Sequence, residues 1–193
     1  MRKYFLLLPL LFIIMFAGSI IYLNYFGIKT EKFNKLIYSK LNQLNPKLNA
    51  NIEDVFIKLN ISQKSIDIQT NNVELKINNE KLFLDRIIAK LRISDLIQDK
   101  NSIKELKIET KENKIENIKK FIFEYDFNFA RELNINQIKE GNIEAKIVIN
   151  FIKNKNNFNY DISGNVTDAK IDVLNKLELQ KINFDFDIKK KSI

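Results

Sequence analysis

The chain contains no cysteine, no histidine and no tryptophan. It therefore has no disulfide framework, no thiol nucleophile, no imidazole base, and few of the side chains that build zinc, copper or haem sites. Glycine is nearly as scarce. Gly18, Gly27, Gly141 and Gly164 are the only four, and no two are close enough to form a phosphate-cradling loop or a dinucleotide fingerprint. Proline occurs at Pro9 and Pro46 alone, so no Pro-rich linker marks a second domain later in the chain. Beyond Arg2, arginine occurs only as Arg86, Arg92 and Arg131, whereas a nucleic-acid binder needs arginines clustered with aromatics on one face. The expectation is a protein that is not an enzyme, holds no metal or cofactor, and binds no nucleic acid.

What is present is one domain's worth of sequence: 193 residues, 45% hydrophobic and 29% charged, with a formal charge of +8. Arg2 and Lys3 supply two of those charges, and the remaining excess is dispersed. The apolar residues are unevenly spread. From Tyr4 to Phe26 the chain is nearly all apolar, and 23 residues in a helix reach about 34 Å, enough for a bilayer core of about 30 Å. This predicts a transmembrane anchor. A cleaved signal peptide is the alternative, because Ala17, Gly18 and Ser19 form a small-residue triplet; against it, Ile20, Ile21, Tyr22 and Leu23 resume the apolar run.

After the anchor, Phe33, Leu36, Ile37, Leu41 and Leu44 recur at helical spacing until Pro46 stops the run. Lys32, Lys35 and Lys40 fall on other faces. This predicts a short amphipathic helix over 28–46. It either lies on lipid headgroups, with Lys32, Phe33, Lys35, Leu36, Ile37 and Lys40 at the membrane surface, or covers the open end of a sheet.

From Ile52 the period becomes two. Val55, Ile57, Leu59 and Ile61 alternate with Phe56, Lys58 and Asn60; Val73, Leu75 and Ile77 alternate with Glu74 and Lys76; Ile87, Ala89, Leu91 and Ile93 follow. Ile143 to Phe151, Phe158 to Val166 and Ile182 to Ile188 repeat the pattern. Between Asn113 and Phe129 helical and strand spacings compete, and a helix to about Glu124 is expected. Asparagine takes the turn role that so few glycines cannot fill, at Asn71–Asn72, at Asn78–Asn79 and around Asn154 to Asn157. The expected body, 47–193, is mainly β: a meander of eight to ten antiparallel strands with one apolar face. Such a face is hidden by closing into a β-sandwich, by curling into a barrel, or by holding lipid, and alternation alone leaves these open.

The order of parts resembles the amino-terminal portion of AsmA-like proteins of the Gram-negative envelope, the superfamily that includes TamB and YhdP. The likeness rests on the anchor followed by the Phe33–Leu41 helix and a strand through Ile52 and Val55. It rests also on Leu82 to Ile108, LFLDRIIAKLRISDLIQDKNSIKELKI, which looks like that family's strand, short turn and next strand. Leu133 to Ile149, LNINQIKEGNIEAKIVI, is similar to its hairpin with glycine at the turn, here Gly141, and Tyr160 to Ile188 to its later unit with Gly164 in the glycine place.

The resemblance implies a single-pass inner-membrane protein. Residues 1–27 would be a cytoplasmic stub and anchor, and the main domain a periplasmic, open β-groove that handles phospholipid in transport to the outer membrane or in envelope homeostasis. Its expected partners are the membrane, phospholipid and other envelope proteins. The expected groove lining is Ile66, Ile68, Val73, Leu75, Ile77, Ile147, Ile149, Tyr160, Ile162, Phe184 and Phe186, each of which is equally an ordinary core residue. The competing expectations are a closed β-sandwich that docks envelope proteins without lipid, and a component of a lipopolysaccharide bridge.

Overall fold

A chain that alternates apolar and polar residues over long stretches gains most by pairing its strands edge to edge, which gathers the apolar side chains onto one face. The computed structural model describes residues 2–31, 34, 38, 47–53, 55–77, 80–97, 103–125, 137–152, 158–173 and 177–190. Among them the strands are β1 (Ile28–Thr30), β2 (Leu48–Asn51), β3 (Val55–Asn60), β4 (Ser65–Ile77), β5 (Glu80–Arg92), β6 (Ile103–Thr110), β7 (Asn113–Lys114), β8 (Ile138–Phe151), β9 (Phe158–Val173) and β10 (Leu177–Lys190). Helices are α1 (Arg2–Tyr25), α2 (Ile93–Ile97) and α3 (Ile115–Tyr125).

All ten strands join one antiparallel sheet in the order β1-β3-β4-β5-β6-β8-β9-β10, with β2 beside β4 and β7 beside β8. The sheet is open and does not close on itself. The mainly β, open-sheet expectation holds, and the closed sandwich is corrected: among the described residues every strand joins a single sheet.

Several strands are longer than the turn signals suggest, and their number, ten among the described residues, falls within the expected eight to ten. Asn71–Asn72, read from sequence as a turn, lies inside β4, where Asn72 takes a left-handed φ of 51°. Gly141, expected at a hairpin turn, lies inside β8 with φ 134°. Asp168 and Lys181 do the same in β9 and β10, with φ of 51° and 56°. Gly141, Asp168 and Lys181 sit at register shifts, as β-bulges that bend a strand without ending it, whereas Asn72 lies opposite Asp85 at an unpaired step where the register is kept. Asn72 and Gly141 take the positive φ that a turn there would call for, but pairing on both sides keeps them inside strands. The stretch expected as helix over 28–46 begins instead with β1, which pairs with β3 through Ile28↔Ile57 and Thr30↔Val55.

Helix α1 forms over the long apolar run. Among the described residues no helix is long and apolar enough to cross a membrane, so the fold alone lends the expected anchor no support. Side chains in α1 are described from Pro9 onward, and those from Leu10 to Phe16 are all exposed.

Two cores form on the apolar face. In one, Ile115 of α3 is buried among Ile138, Ile143, Val166 and Ala169, with Ile118, Ile171, Ile182, Phe184 and Phe186 packed around them. In the other, Ile52, Val55, Val73 and Leu84 are buried, with Tyr38, Leu75, Leu82 and Ile87 against them. The helix expected to reach Glu124 runs to Tyr125.

Candidate functional site

Register decides which strand ends meet. Antiparallel pairing places Leu59 beside Ile66, Ile66 beside Leu91 and Leu91 beside Ile103. Further across, Leu106 faces Ile149, Ile149 faces Tyr160, Phe151 faces Phe158 and Ile162 faces Ile188. The strand ends on this side therefore gather apolar residues from β3 to β9, while on β10 the partner of Tyr160 is Lys190. Phe158 is 47% exposed and Ile103 38%. The rings of Phe151, Phe158 and Tyr160 follow one another at centroid spacings of 6.3 and 6.4 Å.

Helix α1 joins the sheet at this same end. The backbone N–H of Ile61, just past β3, donates to Asn24 Oδ1 at 3.2 Å. Gly27, with φ 71°, turns the chain into β1; a side chain there would meet the carbonyl oxygen of Ile57. The turn after β3 closes through Lys64 N–H to Ile61 O, and Ile93 N–H donates to Lys64 O, which fastens α2 beside it.

The opposite end of the apolar face is covered. Beyond Leu84, β5 loses β6 as a neighbour, and α3 fills the space between β5 and β8. Asn113, only 4% exposed, substitutes for the missing strand. Its Oδ1 accepts from Phe83 N–H at 2.8 Å, and its Nδ2 donates to Phe83 O at 2.8 Å and Lys111 O at 2.6 Å. Asn117 Nδ2 donates to Lys81 O, Lys119 Nζ to Ile138 O, and Lys120 pairs with Glu80. Burial, with the nearby Lys139 charge, pushes the Lys119 ammonium below its usual range, and Glu116 opposes the shift. On the β2–β3 side, Tyr38 Oη accepts from Ile52 N–H at 3.1 Å and Asn34 Nδ2 donates to Ile52 O.

The expected lining residues all lie on strands whose register gathers the apolar face, in different surroundings. Ile66, Ile149 and Tyr160 lie toward the α1 end and are half-buried; Ile147, half-buried, and Ile162, buried, lie in the row of Val55, Ile87 and Ile108. Ile68 and Leu75 pack against the Val55 core, and Phe184 and Phe186 against the Ile115 core. Val73, 1% exposed, is enclosed within its core and has no open side. Ile77 pairs with Glu80 in register, and its side chain lies outside the described set. Lys32, Phe33, Lys35, Leu36, Ile37 and Lys40 also fall outside the described residues. Two neighbours in that stretch, Asn34 and Tyr38, are helical, and Tyr38 lies against the sheet.

The other face is charged and laced with ion pairs, among them Lys90–Glu105 at 2.8 Å, Lys107–Glu109 at 2.6 Å and Lys170–Glu178 at 3.1 Å. A shallow depression of about 400 Å³ on this face is lined by Asp85, Glu109, Glu144, Lys146, Asn165 and Asp185, among others. Among the described residues no cluster of carboxylates is disposed to hold a metal ion.

Alternation in the sequence already named Phe151 and Phe158. It does not show that they face each other at the same end of the sheet as Ile103, because that depends on register across several strands. No protein-family model matches the chain, and neither a curated protein nor a solved structure matches it.

Proposed function

We propose that the chain is a membrane-anchored lipid-handling protein of AsmA-like type, with α1 seated in the bilayer and the apolar face of the sheet sheltering phospholipid acyl chains. The observation that carries this reading is the junction. A helix exposed and apolar on every described side from Leu10 to Phe16 meets the sheet at the end where the apolar face is uncovered. A helix apolar all round needs either a protein core or lipid around it. The sequence run from Tyr4 to Phe26 includes the residues before Pro9 and is long enough for a bilayer.

No chemical step is required. Each methylene kept out of water is worth about 0.8 kcal/mol, so a half-covered apolar trough lowers the cost of holding a lipid tail outside the bilayer. The charged outer face keeps the sheet soluble on its other side. An inner-membrane location with the sheet in the periplasm, and service to the outer membrane or the envelope, belong to the same proposal through the AsmA-like resemblance.

The test exploits neighbouring side chains on opposite faces. A photocrosslinking p-benzoylphenylalanine in place of Ile147 captures phospholipid from the membrane-extracted full chain, and one in place of Lys146 does not. Equal adduct yields at the two positions end the lipid reading.

A further inference from the structure

Independently of the lipid reading, we infer that β10 is a self-association edge. It pairs antiparallel with β10 of a second copy of this chain, about a two-fold axis at Phe184.

The edge is open. β10 is 14 residues long, contains no proline and pairs with β9 alone. Among the described residues no other element hydrogen-bonds to its outer side. An edge strand of this kind presents a row of backbone N–H and C=O groups that templates a further strand. Apolar surface is left open with it: Leu177 is 57% exposed and Leu179 37%, and Phe184, Phe186 and Ile188 are half-buried.

The order of charges along the strand decides what fits there. Antiparallel partners share a face of the sheet, so the two-fold axis passes through a residue and not between two. Lys181, at φ 56°, sits at the bulge, so Gln180 and Lys181 together stand opposite one residue of a regular partner. With the axis at Phe184, Asn183 meets Asp185, Ile182 meets Phe186, and Lys181 meets Asp187. Past the bulge, Leu179 meets Ile188 and Glu178 meets Lys189. By symmetry each of these pairs forms twice. Apolar side chains meet apolar ones, and the charged pairs are of opposite sign.

Neighbouring axes bring like charges together, which destabilises a cross-strand pair. An axis at Ile182 sets Asp185 opposite Glu178, one at Asn183 sets Asp187 opposite Glu178, and one at Phe186 sets Asp185 opposite Asp187. At Asp185 or Asp187 the aspartate meets its own copy. Within one chain Glu178 already holds Lys170, and Asp187 holds Lys189; the copy's Lys189 and Lys181 widen these pairs into networks. The axis runs perpendicular to the sheet, so both apolar faces lie on the same side and the two α1 helices leave from opposite ends of the joined sheet. With the strands lying along the membrane surface, both enter one bilayer.

Sedimentation equilibrium of the full chain in detergent provides the test, and a dimer is expected. Asp187→Lys and Lys181→Asp each weaken it about ten-fold, by setting like charges opposite each other twice. The two changes together restore it, because the pair re-forms with its signs exchanged. Register is read with cysteines, which the chain itself lacks. Glu178→Cys with Lys189→Cys gives a disulfide-linked dimer on oxidation. Glu178→Cys with Asp187→Cys, which reports the axis at Asn183, gives less than about a tenth as much. Either pair of cysteines lies about 30 Å or more apart along one strand, so neither closes within a chain. A chain that stays monomeric, a dimer indifferent to both charge changes, or equal linking by the two cysteine pairs overturns the proposal.

Discussion

The ring of Phe186 in β10 rests on Gly164 of β9. A β-carbon at Gly164 would stand 2.7 Å from the ring's Cζ and 2.2 Å from the carbonyl oxygen of Glu144 in β8. The two residues are register partners, so three strands close around a position with no side chain. Overpacking of this kind costs about 1–3 kcal/mol. Gly164→Ala is expected to lower the urea midpoint without changing the slope of the transition. Adding Phe186→Leu does not restore it, because the Glu144 carbonyl belongs to the backbone. Full recovery in the double variant would place the strain in the ring alone.

Asn113 stands in for a strand. Its amide satisfies both the N–H and the C=O of Phe83 where β6 has left β5. Asn113→Ala orphans the Phe83 N–H, at a cost of about 1–3 kcal/mol. Asn113→Asp keeps an acceptor for that N–H but turns the two donated bonds into carboxylate–carbonyl oppositions, so it is no rescue. Chemical denaturation of the two variants beside the parent chain checks this; an aspartate variant as stable as the parent would contradict the bonding pattern.

Much of the sheet is legible in the alternation because each strand carries its own two-residue period. The run from Val55 to Ile61 matches β3 to within a residue, while those from Ile143 to Phe151 and from Phe158 to Val166 fix one end each of β8 and β9, which extend further at the other. Three features are not local and so were not legible. Asn72, Asp168 and Lys181 lie inside strands with positive φ because flanking pairs hold on both sides, which a run of asparagines or charges does not announce. Val73 alternates like its neighbours yet is fully enclosed, because Ile52 and Leu84 arrive from elsewhere in the chain. The apolar grouping at the α1 end exists only once register has aligned the ends of β3 through β9. Helical spacing at Ile115 and Ile118 was visible, but its role in covering one end of the face was not.

The junction between α1 and the sheet makes a separate prediction. Gly27 has φ 71°, and a β-carbon there would lie 2.7 Å from the Ile57 carbonyl oxygen. Left-handed backbone costs an ordinary residue about 1–2 kcal/mol. Gly27→Ala is therefore expected to loosen the joint, and the reporter is the Ile61 amide, whose acceptor is Asn24 Oδ1. Hydrogen exchange at Ile61 accelerates in Gly27→Ala and in Asn24→Ala, while exchange in the β8–β9 centre at Ile147 stays at the parent rate. Unchanged protection at Ile61 in both variants would mean that the helix is not fixed to the sheet through this bond.

Acid sensitivity follows from Glu109 on the charged face. The hydrogen bond from Lys107 holds its carboxyl below the ordinary value of 4.5, burial opposes the shift, and the charges of Lys107, Arg86 and Lys146 add to it. With the folded value depressed, the unfolded chain binds the proton more tightly in this window. Stability from this group is fully present above about pH 4.5 and is lost as pH falls through the folded value. Glu109→Gln should narrow the gap between urea midpoints measured at neutral pH and in acid, and Lys107→Met should move the Glu109 carboxyl back toward its ordinary value in a carbon-13 titration. A Glu109 titration that ignores the loss of Lys107 would show that the 2.6 Å ion pair is not what holds the proton off.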